Sequence, residues 1–599
     1  MAVSGGCEAD VHATRRFLES MPADEVIVKL DFSNAFNTIS RAAVLYAVSN
    51  QIPELYRFCF AAYGDTSVLQ FGQEVISSAE GVQQGDPLGP LLFCLTLQPI
   101  LSSLSSKLRL GYLDDVTLGG SINTVNLDVQ LIESSGQSLG LILNRSKCEI
   151  ISHSPVPSGL SISRFCAVSP TESSLLGAPL LVGTALDSAL HKSCSELSVA
   201  ENRLTSIAAH DALVLLKSSL STPKILHLLR SSPCVGHQSL ETIDNLLRRC
   251  VCKITNCSLS DSQWLQASLS VKAGGLGIRL ASHLAPSAFL AVCNATAELQ
   301  HFILSATTLS VSNYESSALA DWSNLTGASP PLGLAASKQS NWDSCVIESL
   351  LTRLLCNPED KARLLAVSAK HSSDWLHALP ISSCGLRMND EDIRIAVGLR
   401  LGISICQPHQ CPCGTAVDST GIHALSCKKS SARIVRHNAL NDQIFRALVK
   451  AGVPSIKEPS GLLRSDGKRP DGVTQIPWAS GKCLAWDVTV TNTLAPSYSH
   501  LSSISAGKAA ERAAEMKVAK YSAISTTHDF LPIAFETLGP LNSAAVFLKA
   551  LGKRLSSTTG DTRECSFLFQ RLSVALQRFS SVAVHDSFVQ INAEVVHEH

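Results

Sequence analysis

Two apolar runs near the start of the chain are each interrupted by aspartate. Residues 26–30 form a β-rich run that stops at Asp31, and residues 111–118 form a second run that contains Asp114 and Asp115. Breaks of this kind are typical of a strand end or a hairpin turn, where side chains are presented at one edge of a sheet. The pattern therefore predicts that the three aspartates meet at a sheet edge.

Further along the chain the periodicity changes several times. Residues 186–256 place Leu, Ile and Ala at helical spacing, and residues 511–521 do the same with Lys517 and Lys520 one turn apart. Residues 483–490 alternate as a strand, and residues 310–340 are rich in Ser, Pro and Gly. We expect helices in the first two stretches, a strand in the third, and a linker or exposed loop in the last.

Carboxylates brought together by such a fold require a counter-ion. A cluster of acidic oxygens binds hard divalent cations, and two such ions a few ångströms apart support in-line phosphoryl or nucleotidyl transfer. For an Asp-Asp pair taken alone, a solvated turn is the favoured interpretation. A third segment favours the chemical interpretation: residues 81–90 are rich in Gly and Pro and lead into an apolar stretch, as in a loop whose backbone approaches a ligand before a buried helix.

Five segments in this order carry a family resemblance. They are KLDFSNAFN with Asp31, QQGDPLGPLLF, YLDD with Asp114 and Asp115, GLILNRSKCEII at 140–151, and LLGAPL at 175–180. They resemble the palm motifs of reverse transcriptases, in the style of the non-long-terminal-repeat (non-LTR) retrotransposons. The resemblance implies that Asp31 and Asp114 hold two catalytic magnesium ions, with Asp115 as a supporting carboxylate.

The resemblance also implies roles for residues around these carboxylates. Phe36 would lie under the sugar and exclude a 2′-hydroxyl, although core packing also accounts for this ring. Gln84 and Gly85 would contact the incoming deoxynucleoside triphosphate and the template, and Leu113 would sit behind the primer terminus. Lys147 would protonate the leaving pyrophosphate or pair with its charge. A solvated surface lysine is the alternative at that position.

Composition limits the remaining possibilities. A chain of 599 residues should contain several domains, and 45% hydrophobic residues exclude a largely disordered protein. We find neither a signal peptide nor an apolar run of the ~18 residues that a membrane helix needs, and 20 cysteines without disulfide-like spacing suit a reducing compartment. We expect a nuclear or cytoplasmic protein without a membrane partner. The net charge of −1 argues against nucleic-acid binding, but residues 428–520 contain 15 Lys and Arg against 7 Asp and Glu.

A Cys–His array lies just before this basic region. Cys411, Cys413, His423 and Cys427 follow a C-x-C-x9-H-x3-C spacing, and three thiolates with one imidazole suit a closed tetrahedral zinc site. One residue between the first two cysteines is tighter than usual, and Cys406 is near enough to replace one of them. We predict a zinc knuckle, with a chance cluster among many cysteines as the alternative.

A second resemblance follows the array. Asp471, in the sequence RPDG, and Asp487, on the predicted strand, resemble the PD-(D/E)-x-K core of the restriction-like endonuclease found at the C-terminus of the same retrotransposon class. Thr489 stands where the catalytic lysine of that motif would follow. The resemblance implies that Lys517 or Lys520 supplies the lysine from the next helix, although both also suit an ordinary amphipathic surface.

These observations predict a mixed α/β and α multidomain protein. Its parts would be a right-hand polymerase palm of antiparallel sheet and helices with fingers largely missing (1–184), a helical thumb (185–256), a helical linker (257–400), a zinc knuckle (401–430) and a small α/β PD-(D/E)xK nuclease-like domain (431–599). The expected function is RNA-directed DNA synthesis primed at a nick in target DNA, with Mg2+ and with an RNA template. Only 30 residues precede Asp31, so we expect an N-terminally truncated element. A catalytically inactive remnant that binds nucleic acid and an endonuclease-only protein remain alternatives; oligomeric state is left open.

Overall fold

The computed structural model describes residues 3–305, 312–462, 467–479 and 481–588. The chain folds into two compact units. The first comprises Met1–Ser193, Ile225–Glu241 and Ala281–Cys345; the second comprises Cys194–Lys224, Thr242–Leu280 and Val346–His599. Within the described ranges, no helix combines the length and the hydrophobicity needed to cross a membrane.

The strands are, in chain order, β1 (Glu25–Leu30), β2 (Ser67–Phe71), β3 (Glu74–Ser78), β4 (Leu108–Tyr112), β5 (Asp115–Ser121), β6 (Glu149–Ser152), β7 (Cys166–Val168), β8 (Ser174–Leu175), β9 (Ala178–Pro179), β10 (His409–Gln410), β11 (Ala416–Val417), β12 (Ser455–Lys457), β13 (Gly472–Ala479), β14 (Lys482–Thr491) and β15 (Asp529–Glu536). The α-helices are α1 (Gly6–Ser20), α2 (Ala35–Thr38), α3 (Arg41–Gln51), α4 (Tyr56–Tyr63), α5 (Gly89–Ser103), α6 (Ile122–Ser138), α7 (Thr184–Leu204), α8 (Ala209–Leu215), α9 (Thr222–Ser231), α10 (Gln238–Thr255), α11 (Asp261–Ala267), α12 (Ala281–Ala295), α13 (Ala297–Ile303), α14 (Asn313–Thr326), α15 (Gln339–Leu355), α16 (Pro358–Ser368), α17 (Asp390–Leu401), α18 (Ala432–Lys450), α19 (Ser499–Ile504), α20 (Lys508–Lys520), α21 (Ala545–Thr559) and α22 (Glu564–His585).

The first unit is organised around a five-stranded sheet with the order β4-β5-β1-β6-β7. The central strand β1 is antiparallel to β5 and to β6, and its residues Val26, Ile27 and Val28 are fully buried. A continuous apolar run is what a strand covered on both faces requires. The apolar stretch after the Gly/Pro loop forms α5, which starts with proline in its first turn and packs into the same core.

The helical periodicity of residues 186–256 corresponds to the helices α7, α8, α9 and α10. The Ser-rich stretch 310–340 is different from our expectation, because α14 occupies Asn313–Thr326 and buries Trp322 completely. Ala318 and Trp322 are one helical turn apart, and this spacing outweighs the serine content. Positions 310 and 311 lie outside the described residues.

The second unit contains a four-stranded sheet with the order β12-β13-β14-β15. β13 is antiparallel to β14, and β14 is parallel to β15 over eight residue pairs. The predicted strand and lysine-bearing helix are therefore present as β14 and α20. Trp486 of β14 is fully buried between the sheet and the helices, and its Nε1 donates to Asn441 Oδ1 at 2.8 Å.

Candidate active sites

Three aspartates lie at one edge of the first sheet. β4 and β5 form a hairpin in which Tyr112 pairs with Asp115, so Leu113 and Asp114 are the two turn residues. Leu113 has φ 60°, the left-handed conformation that a two-residue hairpin turn demands. β1 pairs with β5 through Leu30 and Val116, and continuation of this register places Asp31 opposite Asp115.

The charges of these aspartates interact. The pKa of Asp115 is raised, first by burial and then by the negative charges of Asp114 and Asp31, while Lys29 opposes the shift. Lys29, Asp31, Asp115 and Lys147 line one pocket of about 380 Å³. Carboxylates are the ligands that Mg2+ prefers, so this donor set fits the ion chemically. The oxygens of the three aspartates do not all lie within 4.8 Å of one another, as judged over the described residues.

The predicted substrate-binding residues lie in different environments. The Phe36 ring stacks on Phe93 with centroids 4.6 Å apart, so it is also part of the core. Gln84 and Gly85 are exposed in the Gly/Pro loop, and Gly85 has φ 92° with open space where a Cβ would be. Gln84 lines a cavity of about 990 Å³ together with Arg41.

A network that sequence reasoning missed fixes the Gly/Pro loop. The Tyr63 hydroxyl donates to Asp86 and accepts from Gln83 N at 3.2 Å, and burial followed by the Asp86 contact raises the pKa of Tyr63 to about 12. Arg41 donates to Gly81 O at 3.0 Å and lies over the Tyr63 ring. Asp86 stands inside the quoted loop motif, but nothing in the pattern indicated Tyr63 as its partner.

The Cys–His array forms a compact group in the second unit. The β10–β11 hairpin carries Cys411 and Cys413, and a short 3-10 helix, Ile422–Ser426, carries His423 just before Cys427. Cys411 Sγ lies 3.6 Å from Cys427 Sγ, Cys413 Sγ lies 3.2 Å from His423 Nε2, and all four ligand atoms lie within 4.8 Å of one another.

The environment of this group suits a bound cation. Hydrogen bonds from Thr415 hold the pKa of the Cys413 thiol below its usual value, whereas burial raises the pKa of Cys411. Three sulfurs and one imidazole nitrogen at these separations match the donor set of a structural zinc site. Cys406 packs beside these residues but is not one of the four whose ligand atoms lie together, and its Sγ donates to Asp418 O at 3.3 Å.

A second pair of carboxylates lies on the four-stranded sheet. Gly472 pairs with Trp486, so the same register places Asp471 opposite Asp487. Lys517 of α20 forms an ion pair with Asp487, with Nζ 2.5 Å from Oδ2. Burial raises the pKa of Asp487, and the charge of Asp471 adds to the shift while Lys517 opposes it.

The nearby glycine and lysine are constrained by aromatic neighbours. A Cβ on Gly472 would lie 2.1 Å from the Trp486 ring, so only glycine fits beside Asp471. Lys520 Nζ lies over the ring of Tyr521 and 3.0 Å from its Oη. The positive charge of Lys520 lowers the pKa of Asp487. Lys517 therefore contacts Asp487 directly, and Lys520 acts on it through its charge.

A histidine that the sequence analysis missed completes this centre. His437 Nε2 of α18 lies 2.9 Å from Asp471 Oδ2 and 3.1 Å from Val488 O. Burial opposes protonation of His437, but the hydrogen bond and the charge of Asp471 outweigh it and raise its pKa. His437 precedes Asp471 by a helix and a strand, so no motif spacing could have indicated the contact.

A sheet with three aspartates at a hairpin turn is typical of the palm of nucleotidyl-transfer enzymes. Residues 4–180 match the family described as "Reverse transcriptase (RNA-dependent DNA polymerase)". The match covers less than a third of the chain, and the Cys–His group and the second carboxylate pair lie outside the matched residues.

One curated relative is similar to part of the chain. The chain is similar to the retrotransposable element SLACS 132 kDa protein of Trypanosoma brucei gambiense, with 30% identity over 136 residues. The alignment covers 21% of this chain and 12% of the relative. The similarity therefore spans a small part of the relative's length.

Proposed function

We propose that the chain is the RNA-directed DNA polymerase of a non-LTR retrotransposon and acts in target-primed reverse transcription. The observation that carries the proposal is the register that sets Asp31 opposite Asp115, beside the turn with Asp114. A palm (1–184), thumb (185–256) and linker (257–400) would serve polymerisation, and a zinc knuckle (401–430) and a nuclease-like domain (431–599) would serve the target DNA.

In the proposed polymerase, Asp31 and Asp114 would hold Mg2+ with support from Asp115. When bound, the two ions would supply charge stabilisation for the attacking and leaving oxygens. Lys147, in the same pocket as Asp31 and Asp115, would neutralise or protonate the pyrophosphate. Gln84 and Gly85 would contact template and deoxynucleoside triphosphate, Phe36 would limit space at the sugar, and Leu113 would support the primer end.

Extension of a DNA primer on an RNA template with Mg2+ tests the polymerase. Asp114→Asn should lower extension by at least about 100-fold, because a metal ligand loses its charge. Asp65→Asn is the matched control, since Asp65 is an exposed carboxylate of the same unit. A wild-type chain that binds primer–template but never extends it would instead favour the inactive-remnant alternative.

The nuclease is proposed from the Asp487–Lys517 ion pair and the opposed Asp471. Asp471 and Asp487 would bind Mg2+, which would polarise the scissile phosphate, and Lys517 would position the attacking water. Lys520 would add positive charge, and the basic balance of residues 428–520 would hold the DNA backbone. The zinc knuckle of Cys411, Cys413, His423 and Cys427 would stabilise the adjoining chain.

Plasmid nicking by the full chain with Mg2+ tests this second activity. Asp487→Ala should abolish nicking, whereas Glu515→Gln, an exposed carboxylate on the same helix as Lys517, should leave it intact. Asp487→Ala should also stop synthesis on intact target DNA but not on a supplied primer, which separates the two activities. Binding to DNA without any nicking would contradict the nuclease.

A further inference from the structure

His437 belongs to the carboxylate centre of the second unit although it comes from α18 and not from either strand. Its Nε2 lies within hydrogen-bond distance of two acceptors, Asp471 Oδ2 at 2.9 Å and Val488 O at 3.1 Å. A carbonyl oxygen can only accept, so Nε2 carries the proton and donates. His437 is therefore a donor to the Asp471 carboxylate.

Asp471 Oδ2 receives a second donor. Val488 N donates to it at 2.6 Å, from the strand that also carries Asp487. Two donors occupy both lone pairs of Oδ2. Among the described residues, Asp471 Oδ1 accepts no hydrogen bond, so Oδ1 is the oxygen left for a cation. Asp487 is held in a similar way, because Lys517 engages its Oδ2.

We propose that His437 is a positioning residue that fixes Asp471 through Oδ2 and leaves Oδ1 as the ligand for a divalent cation. This inference rests on the proposed nuclease. Partners that orient a metal ligand through its other atom typically change metal affinity 10- to 100-fold when they are removed. The side chains of His437 and Asp471 are 30% and 17% exposed, so solvent reaches both members of this contact.

The test measures cation binding separately from cleavage. In a full-length background of Asp31→Ala, Asp114→Ala and Asp115→Ala, the palm ligands are gone, and Mn2+ binding followed by electron paramagnetic resonance reports the remaining centre. His437→Phe keeps a ring but lacks the donor, and His437→Gln keeps an N–H donor without the ring. His500→Ala, at an exposed histidine of α19, is the matched control.

We expect His437→Phe to weaken Mn2+ binding by about 10-fold, His437→Gln to restore most of it, and His500→Ala to bind like the background. Circular dichroism checks that each variant is folded. Binding by His437→Phe equal to the background, a folded Gln variant as weak as Phe, or a background that binds no Mn2+ would each overturn the inference. If Mn2+ binding depends on His437 as expected but no DNA is nicked, the inference stands and the proposed nuclease fails.

Discussion

The two carboxylate centres are built on different principles. In the palm, Asp31, Asp114 and Asp115 are placed by backbone geometry, through a strand end and a two-residue turn. In the second unit, the clamped centre consists of Asp471, Asp487, His437 and Lys517, and side chains from two helices hold both carboxylates. Neighbouring carboxylates raise the pKa of one aspartate in both centres, and in the second centre Lys517 also forms a direct ion pair with the aspartate concerned, Asp487.

The two centres therefore differ in how far apart in the sequence the residues that build them lie. The turn that carries Asp114 and Asp115 is encoded within a few residues and only its pairing with β1 is long-range, whereas both side-chain contacts of the clamp join separate elements that meet only after folding. The clamped centre should therefore be sensitive to changes in packing far from its aspartates, and the palm centre should tolerate them. The following substitutions test that contrast.

Among these changes, loss of the Cys–His group should have the largest effect, measured as the loss of amide protection. Arg436 donates to Leu425 O at 2.8 Å, and Asn492, just after β14, donates to Ile422 O at 3.0 Å, so the segment that carries His423 is bonded to both sides of the clamped centre. His423→Ala or a zinc chelator should lower amide protection at residues 409–427 on the order of 100-fold.

Hydrogen–deuterium exchange measures this protection, and the same experiment compares the clamped centre with the palm. Protection at the end of β14 should fall with that of the array, while β1 and β5 should exchange as in the wild type. Cys356→Ala, at an exposed cysteine of the same unit, should change neither region. A chelator that leaves residues 409–427 protected would contradict a zinc site.

Alanine at two strand glycines compares the packing of the centres. The new Cβ of Gly472→Ala would lie 2.1 Å from the rigid Trp486 indole, whereas that of Gly111→Ala in the palm would lie 2.5 Å from Leu101 Cδ1, the end of a flexible side chain. We expect the free energy of unfolding to fall by about 3 kcal/mol for Gly472→Ala and by about 1 kcal/mol for Gly111→Ala. Urea denaturation measures both, with Gly461→Ala as the control because its Cβ would meet open space. Equal losses would remove the contrast.

Replacing a paired lysine with methionine compares how much each of two ion pairs contributes to stability. Lys517→Met removes the ion-pair partner of Asp487, whose side chain is 4% exposed. Lys29→Met removes the partner of Glu149, whose side chain is 34% exposed and therefore near water. We expect about 2 kcal/mol of lost stability for the first and under about 1 kcal/mol for the second. A larger loss at Lys29 in urea denaturation would show that burial does not decide the cost.

The parts of the molecule that could be predicted from sequence are those with local signals. Asp31 at a strand end, the β14 strand and the α20 helix with Lys517 all follow from periodicity and from the residues that interrupt it. His437 could not be predicted, because its partner lies one helix and one strand away and the contact exists only through tertiary packing. Helix α14 was not predicted because its region is rich in serine, and its packing depends on only two buried residues, Ala318 and Trp322.

The smallest expected effect is a pair of pKa changes with opposite signs. Asp114→Asn removes a negative neighbour and should lower the raised pKa of Asp115, whereas Lys517→Met removes a positive neighbour and should raise that of Asp487 further. Because the folded pKa of Asp115 is raised, its ionisation costs stability as pH rises from the unfolded value through the folded one, and Asp114→Asn should reduce that cost. Carbon-13 NMR titration of labelled aspartates measures both shifts. Shifts of the same sign would mean that burial alone, and not the neighbouring charges, distinguishes the two centres.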